Sequence, residues 1–162
     1  MRLPLPKRRQ PPGSGERIAC YDSFVRILAV DFGEKRVGLA VSDETGSIVV
    51  PVGVFIRRSD AQAAAVITEA AREREVARVV VGHPINLDGS EGPSARRTRN
   101  FARRLNELSG LPVDLHNEGL TTVAAEQNLI EAGMGARSRA NARDAESAAV
   151  LLRDYFFERQ ER

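Results

Sequence analysis

The chain has no tryptophan, few aromatic residues and a single cysteine, Cys20, among its 162 residues. With so few large rings, its core must be built mainly from Val, Ile, Leu and Ala. One cysteine excludes an internal disulfide and cannot form a metal cluster alone. No apolar run approaches the roughly 18 residues that a membrane-spanning helix needs, and no long apolar stretch follows the basic N-terminal residues, as a secretory signal requires. We therefore expect a soluble, cytoplasmic protein.

Charge is unevenly distributed along the chain. The formal net charge is +2, but residues 1–17 carry five basic side chains and one acidic one, so residues 18–162 have a net charge of −2. Residues 1–24 are also rich in proline and glycine, which predicts a disordered basic leader. Two interpretations stay open: the leader is an arm that touches nucleic acid, or translation starts near Val25. We expect one domain over residues 25–159, with nucleic-acid binding confined to a local patch or the leader.

From Val25 onwards the hydrophobic pattern predicts an α/β fold. Three apolar segments joined by short, turn-like links predict an antiparallel meander. Two later apolar segments alternate with helical patterns, which is typical of parallel strands. The predicted sheet is therefore mixed and five-stranded, with helices on both faces, and we expect its first and fifth strands to be neighbours. The predicted strands are 26–31, 36–42, 47–56, 78–82 and 113–117; the predicted helices are 59–74, 93–109, 121–132 and 141–157, with a mobile segment at 135–140.

Three acidic residues occupy positions that suggest a shared site. Asp31 ends the first, buried strand, where an unpaired charge is costly. Glu118 directly follows the fifth strand, and Asp144 falls in the first turn of the predicted last helix. Taken singly, Glu118 is equally consistent with a solvated loop acid, and Asp144 with a charge that complements a helix dipole. Ligand sites of open α/β sheets form where strand ends meet helix ends, so we expect the three carboxylates to converge.

Convergent carboxylates have a characteristic chemistry. Mg²⁺ and Mn²⁺ prefer oxygen ligands, and two such ions can activate a water and stabilise the leaving oxygen in phosphodiester hydrolysis. The three acids therefore predict a site for one or two divalent ions.

Short motifs surround these acids: Asp31-Phe32-Gly33 with Lys35-Arg36 and Gly38, Val80-Val81-Gly82 with Pro84, Gly89 and Gly92, and Leu120-Thr121-Thr122 after Glu118. Together they resemble the YqgF (RuvX) family of nucleases, described as Holliday junction resolvases and as nucleases that mature the precursor of small-subunit ribosomal RNA. The resemblance spans residues 26–155. It implies an RNase H-like fold, with Asp31, Glu118 and Asp144 as the catalytic, metal-binding acids and Mg²⁺ or Mn²⁺ as the cofactor.

The sequence departs from the family pattern beside Glu118. Family members usually carry Asp-Glu-Arg at this point, whereas this chain has Asn117-Glu118-Gly119. His83 also replaces an apolar residue, and we interpret it as a mainly structural side chain. The glutamate is retained, but the two flanking charges are missing.

Candidate substrate contacts lie near the acids and along the helix 93–109. One side of that helix is apolar and should face the core, while the opposite side carries a row of arginines. This row is either a solvated basic face or a surface that binds the phosphates of a nucleic acid. Phe32 is the best-placed ring for stacking a base, and sequence-specific base reading is not supported. The candidate contacts are Gly33, Lys35, Arg36, Asn86, Arg96, Arg99, Arg103 and Thr121; the inward stripe is Ala95, Thr98, Phe101, Ala102, Leu105 and Leu108.

The predicted function is metal-dependent hydrolysis of structured nucleic acid. RNA is favoured, in maturation of precursor small-subunit ribosomal RNA, with a DNA Holliday junction as the alternative. A junction resolvase must cut two strands symmetrically and should be a stable dimer, whereas an RNA nuclease can act as a monomer or a homodimer. Two other classes are a kinase of the actin type, for which the chain is short, and a nucleic-acid-binding module whose catalysis has decayed.

Overall fold

The computed structural model describes residues 25–118 and 136–160. They form one five-stranded sheet with helices on both faces, as the sequence predicted. The leader at 1–24 and the helix predicted at 121–132 lie outside the described residues. In chain order the elements are β1 (Ile27–Phe32), β2 (Arg36–Ser42), β3 (Val49–Ile56), α1 (Asp60–Glu73), β4 (Arg78–His83), α2 (Pro93–Ser109), β5 (Val113–Asn117) and α3 (Ala136–Gln160).

The strand order across the sheet is β3-β2-β1-β4-β5. The strands β1, β2 and β3 pair antiparallel, while β4 pairs parallel with both β1 and β5. The predicted meander and the two parallel strands are therefore confirmed. The expectation that the first and fifth strands are neighbours was wrong: β4 lies between them and β5 is an edge strand. The connection through α1 places β4 directly beside β1, so both sides of β1 are occupied and β5 pairs with the outer side of β4.

Alternation along the buried strands divides the core between the two faces of the sheet. In β1, Leu28 and Val30 pack on the side covered by α1 and α2, whereas Ile27 and Ala29 pack on the side covered by α3. Successive side chains of a strand point to opposite faces. Asp31 therefore belongs to the α3 face, and this assignment positions the site described below.

The first two helices begin and end as their sequences predict. The Ser59 hydroxyl accepts a hydrogen bond from the Gln62 amide and caps α1, as its capping-box spacing predicts. Gly110 ends α2 in the left-handed conformation with φ of 69°, which glycine adopts without steric cost. The predicted inward stripe of α2 is buried except for Leu108, which is exposed.

The last helix differs from its prediction. It begins at Ala136 rather than Asn141, so the segment 135–140 is largely helical instead of a mobile loop. The residues that follow Gly135 are mostly Ala and Arg, which favour helix, and none is Gly or Pro. Asp144 consequently lies in the third turn of α3, not the first, too far from the helix start to complement its dipole.

Within residues 25–118 and 136–160, no helix is both long and apolar enough to cross a membrane.

Candidate active site

Asp31 and Glu118 form a pair on the α3 face of the sheet, and Asp144 is close enough to influence Asp31. Asp31 points to this face by strand alternation, and α3 lies across β2, β3 and β1 there, which places Asp144 above the same region. Glu118 comes from the end of β5, two strands away from β1. The intervening strand β4 must therefore be crossed for Glu118 to reach Asp31.

Gly82 of β4 makes that crossing possible. A Cβ atom built on Gly82 would lie 1.9 Å from Oε1 and 2.7 Å from Cγ of Glu118. The Glu118 side chain thus occupies the space that any other residue at position 82 would fill. The backbone of Glu118 is also fixed, since its amide donates a 3.2 Å hydrogen bond to the carbonyl of His83. A glycine inside a strand often marks such a close approach.

The carboxyl groups of Asp31 and Glu118 are hydrogen-bonded to each other. Burial raises the pKa of Glu118 to about 8, with further contributions from the Asp31 charge and from the hydrogen bond that Glu118 donates. Burial also raises the pKa of Asp31 to about 6, although the hydrogen bond from Glu118 opposes this shift. Asp144 raises the pKa of Asp31 further, and Arg143 lowers it. Near neutral pH the pair therefore shares one proton, held mainly by Glu118.

Asp144 approaches this pair but is engaged by an arginine. Nε of Arg36 lies 2.8 Å from Oδ2 of Asp144. The backbones are equally close, because a Cβ atom on Gly38 would lie 2.0 Å from the carbonyl oxygen of Asp144. Arg36, which was predicted as a substrate contact, is paired with the third acid in the structure.

The donor set suits a hard divalent cation only in part as it stands. In the described part of the chain, no group of three or more His, Cys, Asp or Glu side chains is arranged to hold a metal ion. However, the carboxyl oxygens of Asp31 and Glu118 face each other, and the pair keeps a proton that makes this possible. In addition, Oδ2 of Asp144 is buried without a hydrogen bond of good geometry. Buried carboxylate oxygens that lack full pairing are a costly arrangement that a cation would relieve.

The loop after β4 is tied to helix α2 rather than free. Asn86 donates to the Ser90 hydroxyl at 2.9 Å, and an isolated bridge joins Ile85 to Glu91. Glu91 in turn lies 3.2 Å from Nε2 of the buried His83 and accepts a hydrogen bond from Arg99. The structural interpretation of His83 agrees with these contacts. Asn86 and Arg99, predicted as substrate contacts, both take part in bonds that shape this loop.

Arg57 is a structural residue beside the β1–β2 turn that no sequence motif indicated. Its guanidinium donates to the carbonyls of Gly33 and Glu34 and to the carboxylate of Asp60. It also lies over the Phe32 ring, 4.3 Å from its centroid, while Phe101 stacks on Phe32 at 3.8 Å. Two groups at these distances must cover opposite faces of the ring. Phe32 is therefore not available to stack a base, contrary to expectation.

The remaining candidate contacts fall into two places. Gly33 lies in the β1–β2 turn, where a Cβ would be 2.5 Å from the Arg36 carbonyl, and Lys35 is exposed in the same turn. Arg97, at the start of α2, is 3.7 Å from Glu34 of this turn, so the neighbouring exposed Arg96 is on the near end of the helix. Arg103 is exposed about two turns further on. Thr121 and Gly119 lie outside the described residues.

Comparison with known proteins agrees with this architecture. The family model for RuvX, described as Holliday junction resolvase, matches residues 25–158. A protein of Anaeromyxobacter dehalogenans strain 2CP-1 is 47% identical over 131 residues, 81% of this chain and 96% of that protein. A protein of Rhodobacter capsulatus is 37% identical over 141 residues, 87% of this chain and 89% of its own length. Both carry the name "Putative pre-16S rRNA nuclease".

Two solved structures share the fold at low sequence identity. The RuvC structure of Thermus thermophilus superposes with a TM-score of 0.52 at 14% identity, covering 84% of this chain and 96% of that one. The fowlpox virus resolvase in complex with Holliday junction DNA gives a TM-score of 0.50 at 10% identity, covering 81% and 98%. The fold is thus RNase H-like, and with the family match across residues 25–158 the chain belongs to the RuvX family.

Proposed function

We propose that this protein is a divalent-metal-dependent nuclease that hydrolyses phosphodiester bonds in structured RNA, at the 5′ end of precursor small-subunit ribosomal RNA. The observation that carries the proposal is the hydrogen-bonded carboxyl pair of Asp31 and Glu118, with Asp144 beside it on the same face. The names of the relatives supply the substrate. Ribosomal RNA processing of this kind would take place in the cytoplasm.

Asp31, Glu118 and Asp144 would hold the cation, Mg²⁺ or Mn²⁺. A bound divalent ion would activate a water and stabilise the oxygen that leaves the scissile phosphate. The chain's own residues prepare the site: Gly82 and the His83 carbonyl fix Glu118 over β4, and burial keeps its carboxyl protonated near neutral pH. Glu118 must release that proton before both of its oxygens can accept a cation.

The substrate surface would begin at the β1–β2 turn and continue along α2. Lys35 and Arg96 are exposed at this end of the sheet, and Arg103 extends the basic face. Arginine binds phosphate oxygens in a bidentate manner, so these side chains suit the backbone of a nucleic acid. Because residues 18–162 carry a net charge of −2, binding would depend on this local surface rather than on the whole molecule.

Resolution of Holliday junctions is a second candidate. The description of the family model favours it. A resolvase would act as a dimer that places two such sites on the two strands, whereas the RNA nuclease can act as a monomer.

A substrate panel tests the proposal and separates the two candidates. The purified protein is incubated with a labelled fragment of precursor 16S ribosomal RNA, duplex DNA and a four-way DNA junction, in Mg²⁺, Mn²⁺ or EDTA. We expect cleavage of the RNA in either metal, none in EDTA, and loss of activity in Asp31→Asn by more than about a hundredfold. Cleavage of the junction alone would overturn the ribosomal assignment. Cleavage that persists in EDTA or in Asp31→Asn would overturn the metal site.

A further inference from the structure

The contact between Arg36 and Asp144 is close but incompletely formed. Nε of Arg36 is 2.8 Å from Oδ2 of Asp144, and the two side chains are 35% and 19% exposed. Oδ2 is nevertheless buried without a hydrogen bond of good geometry. The guanidinium therefore supplies charge to this oxygen without satisfying its lone pairs. This oxygen can therefore exchange one cationic partner for another with little loss of hydrogen bonding.

The backbone allows Arg36 to move more readily than Asp144. Gly38 of β2 touches the backbone of Asp144, since a Cβ on Gly38 would lie 2.0 Å from its carbonyl oxygen and 3.1 Å from the Ala145 nitrogen. Helix α3 is thus pressed against β2 at this residue. The Arg36 side chain, by contrast, begins at the first residue of β2 and is about one-third exposed. Its long, flexible stem can carry the guanidinium away while the carboxylate stays beside Asp31.

We infer that Arg36 is an internal counter-ion of Asp144, which a divalent cation displaces from Oδ2, and that the displaced guanidinium then binds a phosphate of the substrate. This inference rests on the proposed function and goes beyond it by coupling cation binding to substrate binding. A guanidinium and a divalent ion cannot both occupy the same carboxylate oxygen without strong repulsion at a few ångströms. Once released beside the β1–β2 turn, the planar guanidinium matches a phosphate group.

Isothermal titration of the purified protein with Mn²⁺ tests the first half of the inference. Arg36→Gln removes the competitor, so we expect Mn²⁺ to bind about fivefold more tightly than to the wild type, the scale of a partly exposed ion pair. Arg36→Lys keeps the charge and should stay closer to the wild type. Lys35→Gln is the matched control, because it removes one positive charge from the next residue, which is exposed, and should change the affinity little. Thermal unfolding checks that each variant is folded.

Binding of the RNA fragment in EDTA tests the second half without any cleavage. Asp144→Asn abolishes the charge that holds Arg36, so this variant should bind RNA several-fold more tightly than the wild type. Adding Arg36→Gln to Asp144→Asn should remove that gain. If the gain persists in the double variant, it comes from the lost negative charge alone, and Arg36 does not bind phosphate.

The outcomes distinguish the inference from the proposed function. Unchanged or weaker Mn²⁺ binding by Arg36→Gln, in a protein whose wild type binds Mn²⁺ and cleaves RNA, would overturn the inference alone, because Arg36 would then position Asp144 instead of competing for it. Absence of Mn²⁺ binding by the wild type would overturn both.

Discussion

At the residue scale, the carboxyl pair of Asp31 and Glu118 is energetically costly. Both groups are buried enough to raise their pKa values, to about 6 and about 8. When a carboxyl group is buried in this way, its ionisation lowers the free energy of unfolding. Groups whose pKa values are shifted by burial and by a neighbouring charge are typical of a functional site.

The free energy of unfolding should therefore depend on pH in a defined direction. Between about pH 4.5 and 8 the native protein holds protons on Asp31 and Glu118 that the unfolded chain, with ordinary pKa values, releases. The free energy of unfolding should fall as pH rises through this window. Urea denaturation at several pH values measures it, with Glu118→Gln as the variant that should flatten most of the dependence. A wild-type free energy that rises with pH over this range would contradict the assignment.

Arg57 is a second residue whose contribution can be measured. Its side chain is 11% exposed, joins the β1–β2 turn to the start of α1 and covers Phe32. Arg57→Ala should lower the free energy of unfolding by about 2–3 kcal/mol, since it removes charge-assisted hydrogen bonds to the carbonyls of Gly33 and Glu34 and to the carboxylate of Asp60. Arg72→Ala is the control, because Arg72 makes an exposed pair with Glu69 on the surface of α1, and its loss should change stability little. Equal effects of the two substitutions would show that Arg57 does not join these elements.

At the scale of elements, the site depends on how closely strands and helices approach one another. Glu118 passes over β4 only because Gly82 has no side chain, and the backbone of α3 can approach β2 so closely at Asp144 because Gly38 has none. Neither glycine has a left-handed backbone conformation. Glycine is required at both positions because a side chain would overlap the neighbouring atoms.

Gly82→Ala should reduce cleavage far more than it reduces stability. The new methyl group overlaps the Glu118 side chain, which is flexible enough to move away but then leaves Asp31. Displacement of a catalytic group by about 1 Å can cost about a hundredfold in rate. Gly92→Ala is the matched control, since its Cβ would lie 3.8 Å from the Asn86 amide group, an ordinary contact. Cleavage by Gly82→Ala within twofold of the control would argue against the placement of Glu118.

Much of the secondary structure was predictable, because strand and helix signals in this chain are local and strong. The bounds of β2, α2 and β5 agree with the sequence pattern, and the capping residues Ser59 and Gly110 act as predicted. The start of α3 was not predictable, because its first turns are polar and resemble a loop in composition. Only the propensity of Ala and Arg favours helix there.

The site was only partly predictable for a different reason. The acids could be selected by their positions at the ends of elements, but the neighbours of each acid depend on tertiary contacts. Strand alternation could have assigned Asp31 to one face and Phe32 to the other. Nothing in the local pattern indicates that Arg36 pairs with Asp144, or that Arg57 reaches the turn across 24 residues of chain.

At the scale of the whole molecule, we expect nucleic acid to bind through few ionic contacts. The described domain is not globally basic, so its contribution to the salt dependence of RNA binding should come from the arginines near the site. Arg96→Gln should weaken binding of the RNA fragment and reduce the slope of log affinity against log salt by about one. Arg72→Gln, on helix α1, should leave the slope unchanged. Fluorescence anisotropy at several salt concentrations measures both, and equal slopes for Arg96→Gln and the wild type would exclude Arg96 from the interface.

In the proposed function, Asp31, Glu118 and Asp144 together bind a divalent cation. A crystal of the wild-type protein soaked in Mn²⁺ at pH 8.5, above the pKa of Glu118, tests it most directly through anomalous scattering. We expect a Mn²⁺ peak within coordination distance of Asp31, Glu118 and Asp144, with the Arg36 guanidinium moved away from Oδ2 of Asp144. A Mn²⁺ peak elsewhere, or no peak at these carboxylates in a protein that cleaves RNA in Mn²⁺, would contradict it.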